Sequence, residues 1–100
     1  MSASSKQSIS LDELRAKPVV VVDWYDAVCT GGSEWQSLDD MQEALESGPS
    51  LVRSVGMLVA DEPGHIALLD TLILDGDACG YVHVIPRGMV HDITEVWIEP

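Results

Sequence analysis

The run LVRSVGMLVA at residues 51–60, then DEPG at 61–64 and HIALLDTLIL at 65–74, decides how the rest of the chain is read. Apolar and β-branched residues fill both flanks. Between them, Glu62-Pro63-Gly64-His65 suits a type II turn, with proline second and glycine third, where φ must be positive. The spacing predicts two strands, Leu51 to Ala60 and His65 to Leu74, joined as a hairpin. Gly56 lies inside the first, where a missing side chain permits a sharp bend. Further on, Asp75-Gly76-Asp77 reads as a loop and Tyr81 to Pro86 as a strand. Arg87-Gly88 makes a corner before a last strand, Met89 to Ile98.

Working outward toward the N-terminus, Pro18 to Val28 is β-branched and aromatic and predicts one more strand. Its four valines point to burial on both faces at the start. Asp23 and Tyr25 then fall on one side and Trp24 on the other. Gly31-Gly32 ends it. Ser10-Leu11-Asp12-Glu13 has capping-box spacing, with Glu13 reaching back to the Ser10 amide, and predicts a helix from Leu11 to Lys17 that stops before Pro18. Ser37 caps a second helix, in which Leu38, Met41 and Leu45 share one face and Asp39, Asp40, Glu43 and Glu46 the other; Gly48-Pro49 stops it. Five strands with short connections predict a mainly β chain. The expected form is a closed or nearly closed five-stranded small barrel, with a short N-terminal helix and an acidic helix inserted after the first strand. Residues 1–9 read as a flexible arm and 10–100 as one small-barrel domain.

The chain has 100 residues, 46% hydrophobic, and no phenylalanine, so its core must come from Val, Leu and Ile. Five Lys and Arg stand against 17 Asp and Glu, a formal net charge of −12. Beyond Pro18 only Arg53 and Arg87 are permanent cations. That balance excludes generic attraction to nucleic acid or to an anionic bilayer. No apolar stretch is long enough for a membrane-spanning helix. MSASSKQSIS lacks the features of a secretory signal, and Cys29 and Cys79 form no disulfide framework. A cytoplasmic setting is therefore expected.

Chemistry-bearing patterns are sparse. There is no G-x-S-x-G elbow, no P-loop and no G-x-G-x-x-G. Asp75-Gly76-Asp77 lacks the later ligands of a calcium loop. A flat hairpin at Arg87 would set His83 opposite His91 as two zinc ligands; the simpler reading is two surface histidines, and no metal or cofactor is expected. No catalytic residue is assigned, and the chain reads as a non-enzyme.

Ile85-Pro86-Arg87-Gly88-Met89-Val90-His91-Asp92-Ile93 is similar to the second signature of Sm-like proteins, in spacing closest to the bacterial Sm-like RNA chaperone. Gly56-Met57-Leu58, then Glu62, Ile66 and Leu68, resembles the first Sm signature. Gly88 stands where the basic pair usually has histidine, and the insertion from Gly31 to Pro49 has no counterpart. Nearly the whole chain also resembles small uncharacterised bacteriophage proteins, through Trp24-Tyr25-Asp26-Ala27, a Trp-led acidic helix, Ser54-Val55-Gly56-Met57-Leu58-Val59 and Ile85-Pro86-Arg87-Gly88. The Sm resemblance implies an Sm-like or SH3-like barrel whose fourth and fifth strands are free to join copies, hence a homo-oligomer. It also implies that Arg87 and Gly88 lie near His65.

Three functions follow as expectations. The first is a phage-type binding module that engages a host protein or sequesters a small anionic, nucleotide-like signal. Arg87 and Arg53 would supply charge, the amides around Gly88 close approach, His65 a further donor and Tyr25 a stacking surface. The second is an Sm-like RNA-binding ring, and the third a structural virion or assembly component.

Overall fold

The structure, a computed structural model, describes residues 9–32 and 34–97. Leu11–Arg15 forms helix α1, Val19–Asp26 strand β1, Leu38–Ser47 helix α2, Ser50–Asp61 β2, His65–Leu69 β3, Val82–Pro86 β4 and Val90–Val96 β5, with a 3-10 turn at Arg87–Met89. Both helices start as their sequences dictate. Ser10 Oγ accepts from the Glu13 amide at 3.1 Å, and Ser37 Oγ from the Asp40 amide at 3.0 Å. Two details of α1 differ from expectation. Glu13 takes the Ser10 hydroxyl rather than its amide, and the helix ends at Arg15, two residues early. Gly48 closes α2 at φ 68°, a conformation open to glycine. The expected arm, apart from the exposed Ile9, lies outside the described residues.

All five strands join one antiparallel sheet in the order β4-β3-β2-β1-β5. Its geometry turns on β2. Ser50 to Met57 pair with β1, whereas Met57 to Asp61 pair with β3, so the change of partner falls at Met57 and Leu58, whose amide still donates to Pro18 O at 2.8 Å. A register shift between Leu58 and Ala60 adds twist at the same place. A strand with two successive partners has to bend, and Gly56 is what lets this one do so. A Cβ on Gly56 would lie 3.0 Å from the Leu69 carbonyl oxygen and 3.1 Å from Leu68 Cβ.

The bend brings one face of the sheet inward. Val20, Val22 and Trp24 of β1 meet Ile66 and Leu68 of β3 and Ile85 of β4, with Val52, Leu58 and Val90 half-buried around them. Trp24 reaches across the interior, donating Nε1–H to Ser54 Oγ at 3.0 Å and meeting the His83 ring edge-on at 5.0 Å. Period-2 alternation of β1 is thus carried through Trp24, and the intervening Val19, Val21 and Asp23 are half-buried rather than buried.

The barrel is not closed. The order places β4 and β5 at opposite edges, with no ladder between them. The turn at Arg87–Met89 starts both strands from one corner and sends them apart, β4 along β3 and β5 along β1. Two other expectations also change. Gly64 does not have positive φ, so Pro63-Gly64 is not a type II turn. The strand from His65 stops at Leu69, because Asp70 turns its carboxylate onto the Tyr81 amide at 2.9 Å. The hairpin continues only as an irregular ladder through Leu72 and Cys79.

Gly56→Ala tests the bend. The new methyl would press on a β3 backbone already fixed in two ladders, and overpacking of this kind costs about 1–3 kcal/mol. Urea denaturation should show that loss for Gly56→Ala. Gly64→Ala, whose Cβ meets nothing within 4 Å, should change stability little.

Candidate functional site

The five residues expected at a ligand site fall into two groups, at opposite ends of β2. Arg87, Gly88 and His65 share the corner at its C-terminal end. His65 lies opposite Pro86 in the β3–β4 ladder, and the Arg87 amide donates to Gly64 O at 2.9 Å. Arg53 and Tyr25 lie near its N-terminal end, on the outward face of β1 and β2.

At the corner the Arg87 guanidinium is already engaged. It donates from NH2 to the Glu62 carbonyl at 2.9 Å and from Nε to the same oxygen at 3.3 Å, and it pairs with the Asp61 carboxylate. Backbone and side chain of one residue therefore tie the β4–β5 corner to the β2–β3 turn. Gly88 is exposed and open, and His65 is half-buried. The geometry makes Arg87 a clamp between two turns, with its fork directed at protein oxygens.

The outward face holds a second ion pair. Cross-strand register sets Arg53 opposite Asp23, and the guanidinium grips the carboxylate with two bonds, 2.6 Å and 3.0 Å. That bonding holds the Asp23 carboxyl below the usual carboxylate range, helped by the charges of Arg53 and His91 against some desolvation. It raises Arg53 in turn, with Asp92 contributing. Asp92 is opposite Asp23 on β5, and the register then jumps so that Trp24 faces Val90. The jump leaves His91 as the extra residue of a bulge, and its ring meets Tyr25 edge-on at 5.5 Å. Tyr25 is thus partly occupied as a stacking surface.

His83 and His91 rest against different aromatics, Trp24 and Tyr25, which project to opposite faces of β1. They do not form a shared zinc site, and among the described residues no three His, Cys, Asp or Glu side chains cluster as metal ligands. Ser54, His83 and Asp70 line one cleft. There Ser54 Oγ accepts from Trp24, and Asp70 Oδ1 accepts from the Tyr81 amide. Both oxygens thus support structure. Cys29 and Cys79 are free thiols on the surface. Among the described residues no helix is long and apolar enough to cross a membrane.

Sequence reading missed the surface that stands out most. Tyr25, Leu51 and Val55 are exposed on the outward face, and Val82 and Val84 on β4. β5 contains no buried residue. Trp35, Leu38 and Leu45 lie around α2, at 102%, 78% and 73% exposure. Alternation alone predicts which side chains share a face, but cannot say that a face has nothing packed on it. Comparison of the chain with family models, with curated proteins and with solved structures gives no match in any of the three.

Two outcomes follow from the paired arginines. Arg87→Ala should cost about 0.5–1.5 kcal/mol, the scale of a half-exposed charged hydrogen-bond set, and speed amide exchange at the Arg87 N–H. Arg87→Lys should restore only part, since a single ammonium lacks the fork. Because the folded Asp23 carboxyl is lowered, its stabilising effect is complete above about pH 4 and is lost as pH falls through its lowered value. Acid titration monitored by circular dichroism should therefore show wild type and Asp23→Asn differing near neutrality and converging in acid.

Proposed function

We propose that this chain is a non-enzymatic binding module, assembled through the free edges of β4 and β5, that engages another protein. The observation that carries this reading is the imbalance between its polar and apolar surfaces. Both arginines beyond Pro18, Arg53 and Arg87, are tied to carboxylates, while β4, β5 and the outward face of β1 and β2 present uncovered Val, Leu, Ile and Tyr. Contiguous apolar surface on a small domain marks interaction sites. An anionic ligand would have to displace Asp61 or Asp23 from its arginine and then sit in a negative field, so a protein partner fits better than a nucleotide-like signal.

The strand order that leaves β4 and β5 outermost supports an Sm-like module, in which those edges join copies. Each edge strand offers unpaired backbone donors and acceptors to a neighbour. The likeness to small bacteriophage proteins makes a host protein the partner class this reading favours.

Sedimentation equilibrium tests assembly. Wild type should run as a defined multiple of the chain mass. Val84→Lys, which puts a charge on the exposed face of β4, should shift it toward monomer. A strictly monomeric wild type would overturn the assembly. Calorimetric titration of cyclic and linear nucleotides should give no heat. Binding that is lost in Arg87→Ala would return the reading to an anionic ligand.

A further inference from the structure

Between β1 and β2 the chain makes an excursion from Ala27 to Pro49 that carries α2 away from the sheet. Helix α2 is cleanly two-faced. Leu38, Met41 and Leu45 lie within one arc, and Asp39, Asp40, Glu43 and Glu46 are spread over the rest of the helix. Most amphipathic surface helices cover a core with the apolar arc, but here no residue of α2 is buried. Leu38 and Leu45 are about three-quarters exposed, and Met41 is 42% exposed. The arc opens on a groove floored by Val28, Met41, Ala44, Leu45 and Pro49, with Asp40 and Glu43 on its wall. Thr30 Oγ1, donating to Gln36 Oε1 at 3.3 Å, braces the loop that forms one side.

We infer that this groove receives a basic amphipathic helix of another protein, with apolar side chains set against Met41 and Leu45 and lysine or arginine beside Asp40 and Glu43, the two acids that line it. Charge decides the occupant. Every ionisable residue of α2 is acidic. A second copy would bring the same surplus, fifteen carboxylates against two arginines beyond Pro18. The described basic stretch of the chain offers Leu11 and Leu14 beside Arg15 and Lys17, but both leucines are already half-buried. A cationic helix meets both needs of the groove, covering its apolar floor and neutralising a wall whose like charges repel at i,i+3 and i,i+4. The inference rests on the protein-binding reading. It concerns α2 alone, so a chain that assembles through its strand edges yet ignores such a helix would overturn this inference and leave that reading standing.

The test is titration of isotope-labelled full-length chain with a synthetic leucine–lysine amphipathic peptide of about 18 residues, long enough to hold a helix. A scrambled peptide of equal composition is the control. Amide shifts should be confined to Val28–Thr30 and Asp40–Ser50 and should saturate, and the scrambled peptide should produce none there. Met41→Ser with Leu45→Ser should weaken binding about tenfold or more, as loss of buried apolar area requires. Asp40→Lys with Glu43→Lys should do the same and remove the salt dependence. Unchanged amide positions at Val20, Val22 and Ile66 verify that each variant is folded. Leu45→Gln, at a largely exposed position, serves where a double variant is not. Equal shifts around Asp75, Asp77 and Glu95, or equal binding of the scrambled peptide, would reduce the effect to bulk charge and overturn the inference. So would an absence of shifts. Concentration-dependent broadening at α2 that Leu45→Ser removes would assign the groove to a second copy and overturn it as well.

Discussion

Everything in this sheet follows from one close approach, where β2 crosses the end of β3 at Gly56. A strand ladder needs only about 4.8 Å between neighbouring backbones, but here side-chain space is removed too, so β2 can exchange β1 for β3 across Met57 and Leu58. The exchange folds the two halves of the sheet toward each other. That places Trp24 of β1 against His83 of β4, strands that share no ladder. The core is therefore an enclosure made by one bent strand, rather than two layers packed from separate sheets. Its members come from positions as far apart as Val20 and Ile85 because the bend, not sequence proximity, brings them together.

The same bend leaves two edges unsatisfied. A closed barrel removes its edges by pairing the last strand with the first free one. Here the corner at Arg87–Met89 uses its hydrogen bonds to lock onto the β2–β3 turn, through Gly64, Glu62 and Asp61, so it steers β4 and β5 apart. Stability at the corner and openness at the edges are two results of one arrangement. An isolated open edge in a chain with valines on both flanks would invite indiscriminate pairing, and the net charge of −12 opposes it by keeping copies apart unless the contact is specific.

Much of the fold was legible in local residue patterns, because those patterns report local forces. Ser10 and Ser37 cap where their spacing to an acid dictates, and Gly48 stops α2 by the conformation it alone adopts readily. Strand order after Ser50 follows the turn signals, although Pro63-Gly64 is not the type II turn they predict and β3 ends at Leu69. The failures share a cause. The apolar run predicts a strand from His65 to Leu74, but the contact of Asp70 with Tyr81, which closes across eleven residues, ends it at Leu69. The Arg53–Asp23 pair depends on a register set across the long excursion that carries α2, and nothing local announces it. Closure failed for the same reason, since Arg87-Gly88 signals a corner but not which way the two strands leave it. The lone acid at position 70 was the one signal available for the early strand end.

Arginine economy links these points to function. A chain with two permanent cations in its body can spend them on ligands or on its own geometry, and this one places each against a carboxylate that topology brings opposite. Arg53 staples the outward face of β1 to β2, whereas Arg87 staples one turn to another. Neither pair is deeply buried, so each contributes more to register than to net stability. With cations spent this way, the exposed surface beyond Pro18 is apolar where strands and α2 lie bare and carries mostly carboxylate charge elsewhere. On the proposed protein-binding reading, such a surface would select partners by what they must supply, namely complementary apolar shape for the strand edges and positive charge for the helix. Selectivity on that reading would come from requiring both, since a merely basic molecule finds no apolar seat away from these patches and a merely apolar one meets an acidic rim.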